Sequence, residues 1–461
     1  MTATTVAVLF SALVVAQAAL QLWLTRRQIA HVLRHRAEVP LEFRSAISAE
    51  AHAKAADYTC AKQRFGLWQF GFGVLLLLAW TLGGGLDALN EAILHFFGGD
   101  SIPSGHGVAN VGLASGDLAY QVTLLLAFAL IGSLLDLPFD WYYNFHIEER
   151  FGFNRMTRRI WLGDLFKNLL VSLLIGVPLI AVMLWLMSAA GSTWWLWGWG
   201  LWMAFNLLLM VVYPLFIAPL FNEFKPLADE ALAVRVKALM DRCGFSAKGL
   251  FVMDGSKRSA QSNAYFTGIG RAKRVVFYDT LLARLSPGEV EAVLAHELGH
   301  FHHKHIIKMI VQIFLMSLLG LGALGFLAQQ SEFYLGLGVT PNANAANDGL
   351  ALALFMLVLP CISFVLAPLA SRASRRHEFQ ADAYAKANAN GTELAGALVK
   401  LTEDNASTLT PDPLYVAFNY SHPPMVERIA AIKASEPPPT RRGPICAPGA
   451  RVTAPPPVSP A

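Results

Sequence analysis

The chain has 461 residues, of which 55% are hydrophobic and only 15% charged, whereas soluble domains carry about 25% charged residues. That deficit excludes an ordinary water-soluble enzyme. The net charge of +4 is small and its basic residues stand in separate blocks, which speaks against nucleic-acid binding. Cys60, Cys243, Cys361 and Cys446 are widely spaced with no C-x-x-C pair, so neither a zinc ribbon nor a disulfide framework is suggested.

In chain order, seven stretches reach the roughly 20 apolar residues that a spanning helix needs: about Thr4–Leu24, Phe65–Leu86, Tyr120–Phe139, Leu165–Met187, Trp194–Ile217, Ile306–Leu327 and Gly349–Leu369. A buried core helix explains any one of them, but not seven in one chain. The first competes with a secretory signal, with Ala16-Gln17-Ala18 as a faint cleavage site. It lacks a basic n-region and is followed by a basic cluster, so a retained anchor is the better reading.

Lys and Arg crowd the connection after the first run, are absent between the second and third, return at Arg150–Arg159, and vanish from "SAAGST". They abound again from Lys225 to Lys304, disappear from "QQSEFYLGLGVTPNANAAND", and reappear at Arg372, Arg375 and Arg376. This alternation predicts an outside N-terminus and a cytoplasmic C-terminus. The expected division is a membrane region over 1–221, a catalytic segment over 222–305, two more spans over 306–370, a second catalytic segment over 371–435 and a Pro-rich disordered tail over 436–461.

Within the 222–305 segment, "GLFVMDG", "NAYFTGI" and "RVVFYDTLL" read as short strands, the last two joined through "GIGRAK" as a hairpin-like sheet. "LSPGEVEAVLAHELGH" follows. Ser286 with Glu289 forms a capping box and Pro287 suits the first helical position. His296 and His300, four apart, project from one helix face, with Glu297 beside them as a base. Two neutral imidazoles, an open coordination position and a carboxylate make a zincin arrangement. Roughly 0.01 accidental H-E-x-x-H matches are expected in a chain of this composition.

The third ligand must come from elsewhere. Position 306 is Ile and position 303 His, which excludes the metzincin pattern. "SRASRRHEFQADAYAKA" supplies Glu378 as a carboxylate ligand and Asp382 to accept the N–H of a ligating imidazole; the plainer reading is a solvated acidic pair. His302, His303 and His305 are expected to be polar side chains at the membrane surface, with His303 also placed to support the metal face. Asp136 and Asn206, inside predicted spans, point to a hydrated interior or to helix–helix hydrogen bonds.

"LAHELGHFHHKH", "SRASRRHEFQADAYA", "KRSAQSNAYFTGIG", "EERFGFNRMT" and "SHPPMVERIAAI" together resemble the Ste24 family, the zinc CAAX prenyl protease type 1 group of the M48 peptidases. The likeness runs from the first span to about Ser435. It implies one zinc per chain held by His296, His300 and Glu378, with Glu297 as base. It further implies Asn263 as a substrate-backbone contact, His422 near the scissile carbonyl and a chamber among the helices. Plainer roles for these two are turn capping for Asn263 and packing before Pro423 for His422. Gln261 departs from the family, which often has a His there.

The expected fold class is thus an α-helical integral membrane protein with seven transmembrane helices and an α+β gluzincin-like protease domain on the cytoplasmic side. The expected function is zinc-dependent endopeptidase action on prenylated or membrane-tethered polypeptides, in CAAX trimming or in quality control, at a bacterial inner membrane or the endoplasmic reticulum. The competing class is a polytopic transporter or receptor with a structural zinc site.

Overall fold

The structure, a computed structural model, describes residues 2–97, 100–104, 107–111, 118–245, 249–267, 274–342 and 346–434. The "GIGRAK" turn and the tail over 436–461 lie outside them. Helix α1 (Ala3–Arg34) starts at Thr2, whose hydroxyl accepts the Thr5 N–H, and α2 (Ala49–Trp80) at Ser48, which caps Ala51 in the same way. Three glycines then break the path before α3 (Gly85–Phe96). Gly84 has φ +73°, and a Cβ on Gly83 or Gly85 would lie 2.9 or 2.7 Å from the Ala79 carbonyl oxygen. The second apolar run is therefore a pair of helices bent by 53°, where the sequence suggested one straight span.

A hairpin of β1 (Asp100–Ser104) and β2 (Gly107–Val111) leads to α4 (Leu118–Tyr142), which carries Pro138. A π-helical turn over Tyr143–Glu148 follows. Next come α5 (Arg158–Ala189), α6 (Trp194–Val212), a second π turn (Tyr213–Ile217) and α7 (Ala218–Phe221). Among the described residues six helices are long and apolar enough to cross a membrane, or seven if the bent pair counts as one. Their internal prolines are tolerated because neighbouring helices and local backbone adjustments re-satisfy freed groups in lipid.

The 222–305 segment opens with β3 (Phe224–Pro226), α8 (Glu230–Arg242), β4 (Gly249–Met253), β5 (Ala264–Thr267) and β6 (Arg274–Tyr278). The sheet order is β3-β4-β6-β5. The expected antiparallel β5–β6 pair is present, but β4 pairs with β6 in parallel and β3 adds an unforeseen edge. Strand β5 is the other edge.

Then come α9 (Asp279–Arg284), the motif helix α10 (Pro287–His302), α11 (His305–Leu327), α12 (Ser331–Gly336), α13 (Asp348–Asn388), α14 (Gly391–Asp404), α15 (Pro413–Asn419) and α16 (Met425–Lys433). At 41 residues, α13 is about 60 Å long. The last apolar run and the "HEFQAD" stretch are thus one uninterrupted helix.

Beside three smaller clusters, the described residues form two large apolar cores. One lies among the long helices around Trp80, Tyr120, Leu124, Leu184 and Trp194. The other wraps α10, packing Val290, Leu294 and Leu298 against Leu239 of α8, Phe277 of β6 and Leu394 of α14. Arg27 at the end of α1 makes a two-pronged ion pair with buried Asp412, whose carboxylate also caps α15. Arg258, beside the sheet, grips Asp164 of α5 in the same fashion. These contacts join the protease segments to the long helices.

Candidate metal centre

Helix α10 begins where the capping box places it: the Ser286 hydroxyl accepts the Glu289 N–H, and the Glu289 carboxylate accepts the Ser286 N–H and the Lys400 ammonium. Ten of its sixteen residues are buried, so its histidine face is held by packing on nearly every side. Opposite runs α13. At the crossing, a Cβ on Gly299 would lie 2.8 Å from the Ala381 Cα and 3.0 Å from its carbonyl oxygen. Only glycine allows this approach, and the approach carries Glu378 and Asp382 to the imidazoles.

His296, His300 and Glu378 converge. His296 Nε2 is 3.2 Å from His300 Nε2, His300 Nε2 is 3.3 Å from Glu378 Oε1, and His296 Nε2 is 3.5 Å from Glu378 Oε2. A tetrahedral zinc with bonds of about 2.0–2.1 Å needs donor atoms about 3.3–3.4 Å apart, and these three separations bracket that value. Glu378 Oε2 is buried with no hydrogen-bond partner; His296 Nε2 lies 3.5 Å away and Arg428 Nη1 3.6 Å away, both beyond hydrogen-bond reach. Such a group is costly unless a cation satisfies it. The donor set fits zinc. Among the described residues it is the one group of three such donors close enough to share an ion.

The outer contacts are equally specific. His296 Nδ1 is 2.8 Å from Asp382 Oδ1, and Arg428 of α16 donates to both Asp382 oxygens at 2.6 and 2.8 Å. Arg428 is 6% exposed, and its Nη1 also lies 3.6 Å from Glu378 Oε2. The sequence motif "SHPPMVERIAAI" contains Arg428 but by itself gives that residue no role. The available signal was one arginine among the buried apolar positions of a short helix, which demands a carboxylate partner.

Glu297 lines the same cavity as the three donors. Burial raises its carboxyl above the ordinary 4.5, with the two imidazoles opposing that shift. His422 reaches the site from the loop before α16, its Nε2 3.5 Å from Glu378 Oε1 and its Nδ1 2.9 Å from the Ser421 hydroxyl. Asn263 also borders the cavity. Its Oδ1 accepts the Ala264 N–H and its carbonyl accepts the Tyr278 N–H, so it caps the start of β5 at the cavity wall.

Within the histidine cluster His302 is exposed and His303 half-buried, and His305 differs from expectation. His305 is not a surface side chain: it is 4% exposed, and its Nδ1 lies 3.1 Å from His300 Nδ1. His303 stacks on His305, with ring centres 5.5 Å apart, and His302 lies against Tyr384. The reason is the turn. Lys304 adopts φ +54°, so the helix face extrapolated from His300 ends there and α11 starts in another direction. Of the two polar residues in predicted spans, Asn206 donates to Trp202 O within its own helix and Asp136 is exposed on α4.

The cavity beside the donors has a volume of about 1350 Å³. Its walls include Leu125 of α4, Trp202 of α6, Met316 of α11 and Phe355 of α13, and it reaches Asn263 and Tyr265 at the sheet edge. A largely apolar space runs from the long helices to the metal donors.

Residues 28–223 match the family described as CAAX prenyl protease N-terminal, five membrane helices, and residues 226–436 match peptidase family M48. A CAAX prenyl protease 1 homologue of Oryza sativa subsp. japonica is 35% identical over 335 residues, covering 72% of this chain and 78% of that one. CAAX prenyl protease 1 of Saccharomyces cerevisiae is 36% identical over 333 residues, covering 68% and 72%. The crystal structure of S. mikatae Ste24p aligns with a TM-score of 0.83 at 31% identity, covering 93% of this chain and 99% of that one. The transporter or receptor reading finds no support in these matches. Multi-span helices, a converging His-His-Glu set and these relatives lead to one conclusion: the chain belongs to peptidase family M48, as a membrane zinc metalloendopeptidase of the CAAX prenyl protease 1 (Ste24) type.

Proposed function

We propose that the chain cleaves peptide bonds near the C-terminus of prenylated, membrane-tethered polypeptides, with one zinc per chain held by His296, His300 and Glu378. The observation that carries this reading is the continuity of the apolar cavity with the donor triad. An extended peptide at β5 and a lipid chain between the long helices would share that space.

Bound zinc would polarise the scissile carbonyl and lower the pKa of a water toward about 7. Glu297, which lines the same cavity as the three donors, takes the proton of the attacking water and passes it to the leaving amine. His422, more exposed than the donors, donates to the developing oxyanion, a role typically worth about 2.7–4 kcal/mol. Asn263 and the edge of β5 hold the peptide backbone as an added strand. Asp382 holds the His296 proton on Nδ1, which would leave the Nε2 lone pair free for a metal ion.

The two-histidine helix with a later glutamate, set beside a small mixed sheet, supports a gluzincin-like α+β unit assembled from 222–305 and 371–435. The spans over 1–221 and 306–370 would carry it. The Lys and Arg alternation supports a cytoplasmic site, on the endoplasmic reticulum or a bacterial inner membrane. Two measurements test the reading. Glu297→Gln should keep about one equivalent of zinc while kcat falls by roughly 10²–10⁴; undiminished cleavage would refute the base. A farnesylated peptide should be cleaved with higher kcat/KM than its unlipidated twin, and equal rates would leave a general membrane-protein protease.

A further inference from the structure

We propose that His305, the first residue of α11, is a positioning residue for zinc: it accepts the Nδ1–H of His300 while Gln380 fixes its tautomer. The inference rests on the reading of His300 as a zinc ligand. Two contacts define the chain of protons. His300 Nδ1 is 3.1 Å from His305 Nδ1, and His305 Nε2 is 2.9 Å from Gln380 Oε1.

A neutral imidazole carries one N–H. The Gln380 carbonyl oxygen can only accept, so His305 Nε2 donates and His305 Nδ1 carries the lone pair. His300 Nδ1 must then be the donor, and His300 Nε2 is left bare toward Glu378 and His296. With the Gln380 amide reversed, every proton moves one place along and His300 Nε2 becomes an N–H, which cannot bind a metal. Ligation and the direction of the relay are therefore the same condition.

The surroundings hold His305 in place. The His377 ring stacks on it with centres 4.0 Å apart and planes 15° apart. The left-handed turn at Lys304 is what brings the ring back to His300. The two ligating histidines are thus oriented by different chemistry. His296 is held by the anionic Asp382, itself clamped by Arg428, whereas His300 is held by a neutral imidazole and amide. One consequence is mechanical. His305 begins α11 and Gln380 lies on α13, so the ends of two long helices set the tautomer of one zinc ligand.

The test is zinc affinity of the purified full chain, by competition with a chromophoric chelator. His305→Phe should weaken zinc binding by about 10–100-fold, as loss of such outer partners does. His305→Asn places its amide oxygen near the position of Nδ1 and should stay within about threefold of the parent; His305→Gln, whose polar atoms fall nearer Nε2, should resemble His305→Phe. The two amides differ little in polarity, so a gap between them separates orientation of the ligand from general damage to the fold. Equal affinity for parent and His305→Phe, or His305→Asn no better than His305→Phe, overturns the relay and leaves the ligand set standing. A parent without zinc overturns the ligand reading itself.

Discussion

Glu378 shows at the level of single residues how much of this site depends on compensation. A buried carboxylate is unfavourable alone, and here it faces three ring nitrogens, of His296, His300 and His422, and the Arg428 guanidinium. Arg428 also neutralises Asp382, so two carboxylates a turn apart on α13 share one cation. Arg428→Met should therefore do damage twice over. It leaves Asp382 a buried carboxylate with the His296 N–H as its remaining partner, a loss of up to about 3–5 kcal/mol, and it loosens the orientation of the His296 imidazole. A falling melting temperature together with weaker zinc binding checks this. A variant with parental stability and affinity would show that Asp382 needs no counter-ion. His296, His300 and Glu297 were legible in the sequence because they obey one local rule, the spacing along a single helix. Arg428 and His305 were not, since their roles depend on α16 docking against α13 and on a turn at Lys304.

Among the elements, the crossing of α10 and α13 decides whether a metal centre exists. Gly299 lies against the Ala381 backbone, and main chain cannot swing aside as a flexible side chain can. Gly299→Ala would thus push the helices apart by a few tenths of an ångström or more, and the Glu378 carboxylate with them. Overpacking of this kind costs typically about 1–3 kcal/mol. The expected readout is weakened zinc affinity and reduced cleavage, measured by chelator competition and peptide turnover; unchanged affinity would mean that α13 slides rather than separates. The seven apolar runs were legible as helices from composition alone. The bend at Gly83–Gly85 was not, because hydropathy windows are blind to backbone dihedral. Neither was the parallel β4–β6 pair, because the partner of a strand is chosen by packing over distance and not by its own alternation.

At the scale of the molecule, the protease core is tied together by ion pairs whose partners come from distant parts of the chain. Lys400 of α14 donates to Glu289 at the start of α10. Burial raises the Glu289 carboxyl, yet Lys400 and the Ser286 N–H outweigh it and hold the group below its ordinary 4.5. A group depressed in the folded state contributes stability above its unfolded pKa and loses it as pH falls through the folded value. Lys400→Met should accordingly lower the melting temperature at pH 7, and its difference from the parent should shrink as pH falls below 4.5. A constant difference across that range would assign the effect to packing of the lysine stem.

What the sequence determined by itself was everything that follows from local periodicity and local composition. The apolar runs, the capped helix, the histidine pair with its glutamate and the family likeness are all written within a few turns of chain. Tertiary structure decided the rest: the fusion of the last span with the Glu378 helix, the clamp of Arg428 on Asp382, the inward turn of His305 and the joining of cavity to donors. Each pairs residues far apart in sequence or on either side of a chain reversal. The desolvated contacts that enforce them arise only once the helices have packed.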